Sequence, residues 1–482
     1  MGPQPPIPVE LWDQIPPAAQ AAVLLLVQQY EQRLQALQKR VDELEQRLNQ
    51  NSTNSSRPPS SDPPHVKRPP PKPKSVRKRG GQPGHKRQQR PMVPPEQVKQ
   101  VISLKPPACR KCGHDLHGDD PQPRQHQVAE IPPFQPEVTE YRLHRLTCTE
   151  CGTRTCASLP EGVPAGAFGP RLQAVLAVLA GGYRLGKRPI RRLAHDLFGL
   201  SISTGMIAKL ERSTTEALAQ PMAELEDHVR AQPANVDETS WREAGQRAWL
   251  WVVVTPLVTV FHIAATRCGM VARQLLGSAY GQVVTSDRWK AYNPFRRRQL
   301  CWAHLRRDFQ AMVDRQNVGA DIGKRLIDLS DRMFAWWHRV RDGTLCRSSF
   351  QAYISGLRNA FFEALENGEV CGCSKTAATC RDLIAHERKL WTFVWREGVE
   401  PTNNAAERAL RHAVLWRKGS GGTDSRRGSR FVERVLSVRE TCRQQGLSAL
   451  VYLTACCAAA LQGVAPPSLL PPSVGEKLSP AG

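Results

Sequence analysis

Ala234-Asn-Val-Asp-Glu, Ala248-Trp-Leu-Trp-Val-Val-Val-Thr, Leu257-Val-Thr-Val-Phe-His-Ile-Ala, Val271-Ala-Arg-Gln-Leu-Leu and Gly281-Gln-Val-Val-Thr-Ser-Asp follow one another in the middle of the chain. Four of these stretches are short β-branched or aromatic runs that read as strands, and Val271 to Leu276 has helical spacing. Pro256 separates the second run from the third and joins them as a hairpin. The order strand, strand, strand, helix, strand predicts a ribonuclease-H-like α/β sheet, in which the first and fourth strands are neighbours. Asp237 on the first strand and Asp287 at the end of the fourth then meet. Glu238 adjoins Asp237, but strand side chains alternate between faces, so one of the two points at the site.

A third acid stands farther on, in Pro401-Thr-Asn-Asn-Ala-Ala-Glu-Arg-Ala-Leu-Arg. Thr402, Asn403 and Asn404 read as N-capping residues for a helix that carries Glu407 in its first turn. There the helix dipole favours the ionised carboxylate. The bland alternative is an i,i+4 pair with Arg411, worth about 0.3 kcal/mol on a surface. Three separated carboxylates on fixed elements are what a two-magnesium phosphodiester-cutting site requires, since hard cations take oxygen ligands and leave positions for water and phosphate. The following Arg417-Lys418-Gly-Ser-Gly-Gly-Thr reads as a phosphate-binding loop through its cations and amides.

The 482 residues carry 67 Lys+Arg against 44 Asp+Glu, a net charge of +23. Such a chain accommodates two to four domains and favours a polyanionic partner, nucleic acid or an anionic membrane surface. The apolar stretch from Ala248 to Phe261 is broken by Pro256, and Leu447 to Val464 is diluted by Ser, Thr and Gln, so no membrane span is expected. Without a secretory signal the expected location is cytoplasmic and nucleoid-associated, where the 14 cysteines are thiols or metal ligands.

Ahead of the core, Val27, Tyr30, Leu34, Leu37, Val41, Leu44 and Leu48 alternate steps of three and four. This is an a/d seam over 18–50, read as a coiled coil through which the chain self-associates; the alternative is a helix folded back on its own domain. Residues 51–98 read as a disordered linker, basic through Lys67, Arg68, Lys72, Lys74, Arg77, Lys78, Arg79, Lys86, Arg87 and Arg90. Cys109-Arg-Lys-Cys112-Gly and Cys148-Thr-Glu-Cys151-Gly then form two knuckles of a zinc ribbon over 99–160. Residues 165–230 are helical, and the helix ending at Gly199 followed by a Ser203-capped helix matches the spacing of a helix-turn-helix. The core spans 231–445 with a helical insertion at about 310–400, a C-terminal helix covers 446–464, and a Pro-rich tail covers 465–482. Within the core, Cys301 and His304 are too few ligands for zinc alone and are expected to pack or hydrogen-bond beside the acids, with Arg306 and Arg307 available to DNA.

The zipper, Asn54-Ser-Ser-Arg-Pro-Pro-Ser-Ser-Asp, Gly80-Gly-Gln-Pro-Gly-His, the paired knuckles, Val236-Asp-Glu-Thr, Ser286-Asp-Arg, Cys301-Trp-Ala-His-Leu-Arg-Arg, Asn403-Asn-Ala-Ala-Glu-Arg and Thr441-Cys-Arg-Gln-Gln-Gly together resemble the insertion sequence 66 family of bacterial DDE transposases, of the large catalytic subunit type. The resemblance implies a triad of Asp237, Asp287 and Glu407 holding two magnesium ions. It selects Asp237 over Glu238. It further implies action at the inverted-repeat ends of a mobile element, hydrolysis that frees a 3′-hydroxyl, and strand transfer into target DNA. Arg411, Arg417 and Lys418 join Arg306 and Arg307 as candidate DNA contacts, and small accessory proteins of the same element are expected partners. Thr402 departs from the pattern, standing where many relatives have an acid. The competing readings are a nuclease of the same fold without strand transfer and a zinc-ribbon DNA-binding regulator with an inactive core.

Overall fold

A computed structural model describes residues 8, 12–52, 54–55, 62 and 91–471. The basic run from Lys67 to Arg90 and the tail beyond residue 471 lie outside the described residues. Contacts divide the chain into two units, one of Met1–Val66, Thr139–Leu193 and Ser201–Gly482, the other of Lys67–Val138 and Ala194–Leu200.

The first element is α1, Pro17–Leu48, one uninterrupted helix whose apolar seam is exposed. A small antiparallel pair, β1 (Arg145–Thr147) and β2 (Arg154–Cys156), brackets the second cysteine knuckle. Four helices follow: α2 (Pro170–Gly181), α3 (Lys187–Phe198), α4 (Thr204–Ala217) and α5 (Ala219–Arg230). Ser203 caps α4 by accepting from the Met206 amide, as its sequence predicts.

The core sheet contains β3 (Ala234–Glu243), β4 (Gln246–Val254), β5 (Thr259–Ala264), β6 (Val284–Ser286) and β7 (Arg298–Leu300), with α6 (Gly269–Leu276) between β5 and β6. Among the described residues its order is β5-β4-β3-β6-β7, antiparallel on the β5-β4-β3 side and parallel on the other. The expected adjacency of first and fourth strands is therefore present. β3 runs to Glu243, well past the short run the sequence suggested, and turns into β4 through Ala244 and Gly245.

Beyond β7 the chain leaves the sheet as α7 (Trp302–Asp314), α8 (Ala320–Arg341), α9 (Arg347–Glu369), α10 (Ser374–Ala385), α11 (Glu387–Leu390) and α12 (Thr392–Trp395). These helices have an apolar core of their own, centred on the buried rings of Trp302, Phe361 and Trp391. Gln299 of β7 fixes the insertion to the sheet, donating to the Leu390 carbonyl at 2.9 Å and accepting from the Phe393 amide at 2.8 Å. The chain returns through Pro401, whose carbonyl accepts from the Trp302 amide at 3.0 Å.

Three helices close the fold: α13 (Asn404–Ser420), α14 (Arg426–Gln445) and α15 (Ala449–Leu461). Ala406, Ala409, Leu410 and Ala413 of α13, with Val432 and Leu436 of α14, cover the sheet face formed by Trp241, Leu250, Val252 and Phe261. α14 also seals the outer edge of β5. Thr441, Ser437 and Glu433 accept from the amides of Thr259, Phe261 and Ile263 at 3.1, 2.9 and 2.7 Å. The match is geometric: four helical residues advance about 6 Å and two strand residues about 6.6 Å, so every fourth side chain meets every second amide. An edge that would template another strand is thereby occupied. No helix among the described residues is long and apolar enough to cross a membrane.

Candidate functional site

The register of the sheet decides which acids meet. Asp237 pairs with Val252, whose side chain packs under α13 and α14, so Asp237 lies on the face that these helices cover. β6 runs parallel to β3 with Ala234 opposite Val284 and Asn235 opposite Thr285. Continued by two residues, that register sets Asp287 beside Asp237 and on the same face. Glu407 sits in the first turn of α13, next to Ala406 of the same packed face. Its side chain makes no ion pair with Arg411 among the described residues; its neighbours are His304 at 3.7 Å and Arg307 at 4.0 Å.

Electrostatics supports this convergence. Burial pushes the Asp237 carboxyl well above its usual range, and the charges of Glu238, Asp287 and, more weakly, Glu407 push it further, against the opposing pull of the Glu238 amide that donates to it at 2.9 Å. A buried acid repelled by its neighbours is a site short of positive charge. Asp287 accepts from the Trp289 amide at 2.9 Å, which fixes its rotamer. One Glu407 oxygen, Oε1, is buried without a hydrogen-bond partner. The oxygen-rich donor set, the excess of negative charge and the orphaned oxygen all fit divalent magnesium held by Asp237, Asp287 and Glu407.

Glu238 faces the other way. Its carboxylate is buried against Arg267, whose Nε donates at 2.5 Å, and accepts from the Tyr292 hydroxyl. It is a structural ion pair beneath the sheet.

Several supporting residues were not legible in the sequence. Asn403 lies at the cap position of α13, yet its side chain makes no capping bond. Fully buried, it donates from Nδ2 to the Val236 carbonyl at 2.9 Å, and its amide donates to Cys301 Sγ at 3.1 Å. The capping expectation is thus corrected: the side chain is drawn to a buried carbonyl on β3. Arg298 of β7, also buried, donates to the Asp287 carbonyl at 2.8 Å and to Ser286 Oγ at 3.1 Å. Burial lowers its guanidinium to about 10, with Asp287 opposing the shift. Nothing in Arg296-Arg297-Arg298 distinguishes this residue from its exposed neighbours. Cys301, His304 and Glu407 offer ligand atoms within 4.8 Å of one another. Burial pushes the Cys301 thiol up to about 12.

The candidate DNA contacts differ in availability. Arg306 is engaged by Ser330 and Asp331, both at 2.6 Å, which ties it to α8. Arg307 borders the acids, while Arg411 and Lys418 are exposed. Arg417 is half-buried and its Nη1 donates to Thr239 Oγ1 at 3.2 Å and Ser240 Oγ at 2.6 Å. The glycine-rich loop does not offer its amides to a phosphate: those of Gly421, Gly422 and Thr423 donate to Arg417 O, Ser420 Oγ and Arg242 O. That part of the expectation is overturned because the loop closes onto β3.

The two cysteine knuckles share one construction. Gly113 and Gly152, at φ +74° and +69°, donate to the carbonyls of Cys109 and Cys148 at 2.9 and 3.0 Å, a tight turn that a side chain would strain. The amides of Lys111 and Cys112 lower the Cys109 thiol, and the Thr153 hydroxyl and amide lower that of Cys151. Thiols predisposed to ionise within such turns fit a zinc ion.

Comparison with known proteins agrees with this reading. Residues 106–152 match the zinc-finger binding domain of the IS66 transposases, which supports a structural zinc, and residues 10–91 match a family of unknown function. Residues 165–430, more than half the chain, match the IS66 transposases themselves, and the protein belongs to that family. Two proteins of Sinorhizobium fredii are similar. The uncharacterized protein y4qI is 26% identical over 237 residues, covering 43% of this chain and 43% of its own length. The uncharacterized protein y4hP is 23% identical over 397 residues, covering 74% of this chain and 71% of its own.

Proposed function

We propose that this protein is a DNA transposase that cuts the ends of an insertion sequence and joins them to target DNA, with Asp237, Asp287 and Glu407 as its catalytic carboxylates. The observation that supports the reading is that burial, and then the charges of Glu238, Asp287 and Glu407, raise the Asp237 carboxyl, with Asp237 and Asp287 on neighbouring strands. The β5-β4-β3-β6-β7 order supports a ribonuclease-H-like core. Asp237 and Asp287 would share one magnesium ion and Glu407 would hold the second, with Cys109, Cys112, Cys148 and Cys151 as the zinc ligands. When bound, magnesium supplies activation of the attacking oxygen and stabilisation of the leaving one.

The chain's own residues do the positioning. The Trp289 amide and Arg298 hold the Asp287 corner, Asn403 ties the start of α13 to β3, and Arg307 lies near enough to Glu407 to meet a phosphate there. Water, and then a 3′-hydroxyl, would attack the same phosphorus position in line, so no covalent enzyme intermediate is required. The exposed seam of α1 supports self-association, which would bring two element ends together.

Purified protein, magnesium and a plasmid bearing the inverted repeats that flank the gene test the proposal. Joined products are expected, and Asp287→Asn should lower their yield about a hundredfold or more. Cleavage without joining would make the protein a nuclease. Binding without either reaction, unaltered by Asp287→Asn, would make it a regulator.

A further inference from the structure

We infer a side-chain phosphate pocket beside the end of β3, formed by Arg242, Arg247 and Arg417, that grips the DNA backbone away from the cut. The inference rests on the DNA-acting reading above. β6 pairs with β3 only at Ala234 and Asn235, and farther along that edge β3 is met by Thr423, whose amide donates to the Arg242 carbonyl at 2.9 Å and whose carbonyl accepts from the Ala244 amide at 2.7 Å. A cavity of about 620 Å³ opens there, lined by Ser240, Trp241, Arg242, Arg247, Arg417 and Gly421.

The cations that line it are arranged at a cost to the free protein. Arg242 and Arg247 stand directly opposite each other in the β3-β4 register, a like-charge pair that destabilises a sheet. Neither has a carboxylate partner among the described residues. Arg242 donates to the Gly245 carbonyl at 3.2 Å and Arg247 lies over the Trp249 ring at 5.0 Å, contacts that aim both guanidinium groups without neutralising them. Glu243, next in the chain, points to the opposite face and is 3.9 Å from Arg426. The third cation, Arg417, is anchored among the described residues through Nη1, leaving the rest of its planar fork to the cavity. Three uncompensated guanidinium groups around one concavity are matched by a dianionic or polyanionic oxygen ligand, and phosphate accepts the forked donors.

The neighbouring loop explains why side chains rather than amides take this role, since its amides are consumed in closing onto Arg242 and Ser420. Asp237 and Arg242 are five strand residues, about 17 Å, apart along β3 and on opposite faces of it, so the phosphate held here is a backbone phosphate other than the scissile one.

Full-length wild-type protein and the double variant Arg242→Gln/Arg247→Gln are compared by fluorescence anisotropy on a duplex of arbitrary sequence across a salt series. Both positions are exposed, and thermal unfolding checks that the variant is folded. The variant should bind about tenfold more weakly at low salt, with a log–log salt slope shallower by about one phosphate. In a series of element-end duplexes, each with a single methylphosphonate at a position other than the scissile phosphate, one position should weaken the wild type and leave the variant unaffected. Equal affinity and slope in a folded variant, while the wild type binds and cuts, overturn the pocket and leave the transposase reading standing. No duplex binding by the wild type overturns both.

Discussion

Asn403 Nδ2 donates to the Val236 carbonyl at 2.9 Å, linking the residue before Asp237 to the helix that carries Glu407. Both groups are buried, so the bond has no water to replace it. Asn403→Ala should cost about 1–3 kcal/mol in urea unfolding, since it leaves the Val236 carbonyl unpaired. DNA cleavage should fall further than DNA affinity, because the bond sets the spacing of the acids. A variant with wild-type stability and cleavage would show that the clasp is incidental.

Gly422, at φ +123°, brings the α13–α14 loop against β3 so closely that a Cβ would land on the Arg242 carbonyl oxygen. That obstacle is backbone and cannot swing away. Gly422→Ala should lower stability by about 1–3 kcal/mol and displace the Thr423 amide from Arg242. Urea denaturation measures the first, and hydrogen exchange at Thr423 the second. Unchanged protection would mean that the loop closes without this approach.

The contrast between these two residues and the acids shows what sequence could convey. β-branched runs around Val252 and Phe261 announce strands wherever they sit, and their order brought Asp237 and Asp287 together. Asn403 obeyed a local rule, Asn before a helix, but a buried carbonyl on another element outcompeted the cap. β7 is three residues long beside an arginine run, below the length at which alternation is visible. The second half of β3 is polar because Ser240 and Arg242 stand on an exposed face, so it resembled a loop. Arg306 looked free for DNA until Ser330 and Asp331, about three turns into a different helix, proved to hold it.

Burial raises the Glu433 carboxyl above its usual 4.5, the Ile263 amide and Arg426 only partly opposing the shift. The folded chain therefore keeps this proton to higher pH than the unfolded chain. Its contribution to stability is fully present below about pH 4.5 and is lost as pH rises through the folded value. Glu433→Gln retains an oxygen for the Ile263 amide and removes the titration. Urea midpoints should move in the variant's favour as pH rises from 4 to 8; a difference that stays constant with pH would sink this account.

Cys148→Ser removes one thiolate from a knuckle and leaves its turn intact. Zinc content should fall from about one ion per chain to near none, as three remaining thiolates hold the metal weakly. Elemental analysis of the purified full-length variant reads this directly. Full zinc occupancy would place the ion on other ligands.

Tyr30, Leu34, Leu37, Val41, Leu44 and Leu48 are each between 45% and 64% exposed along α1, a 32-residue helix. Aligned at steps of three and four, they form a stripe left exposed among the described residues, and burying each against a second helix would contribute about 1.5–3 kcal/mol. Association through α1 would remove the stripe from water. Leu37→Lys combined with Leu44→Lys places like charges at the centre of the seam and should convert the protein to monomer by light scattering. Zinc content and single-site DNA binding should survive, whereas joining of paired element ends should fail. An unchanged mass would assign self-association to another surface.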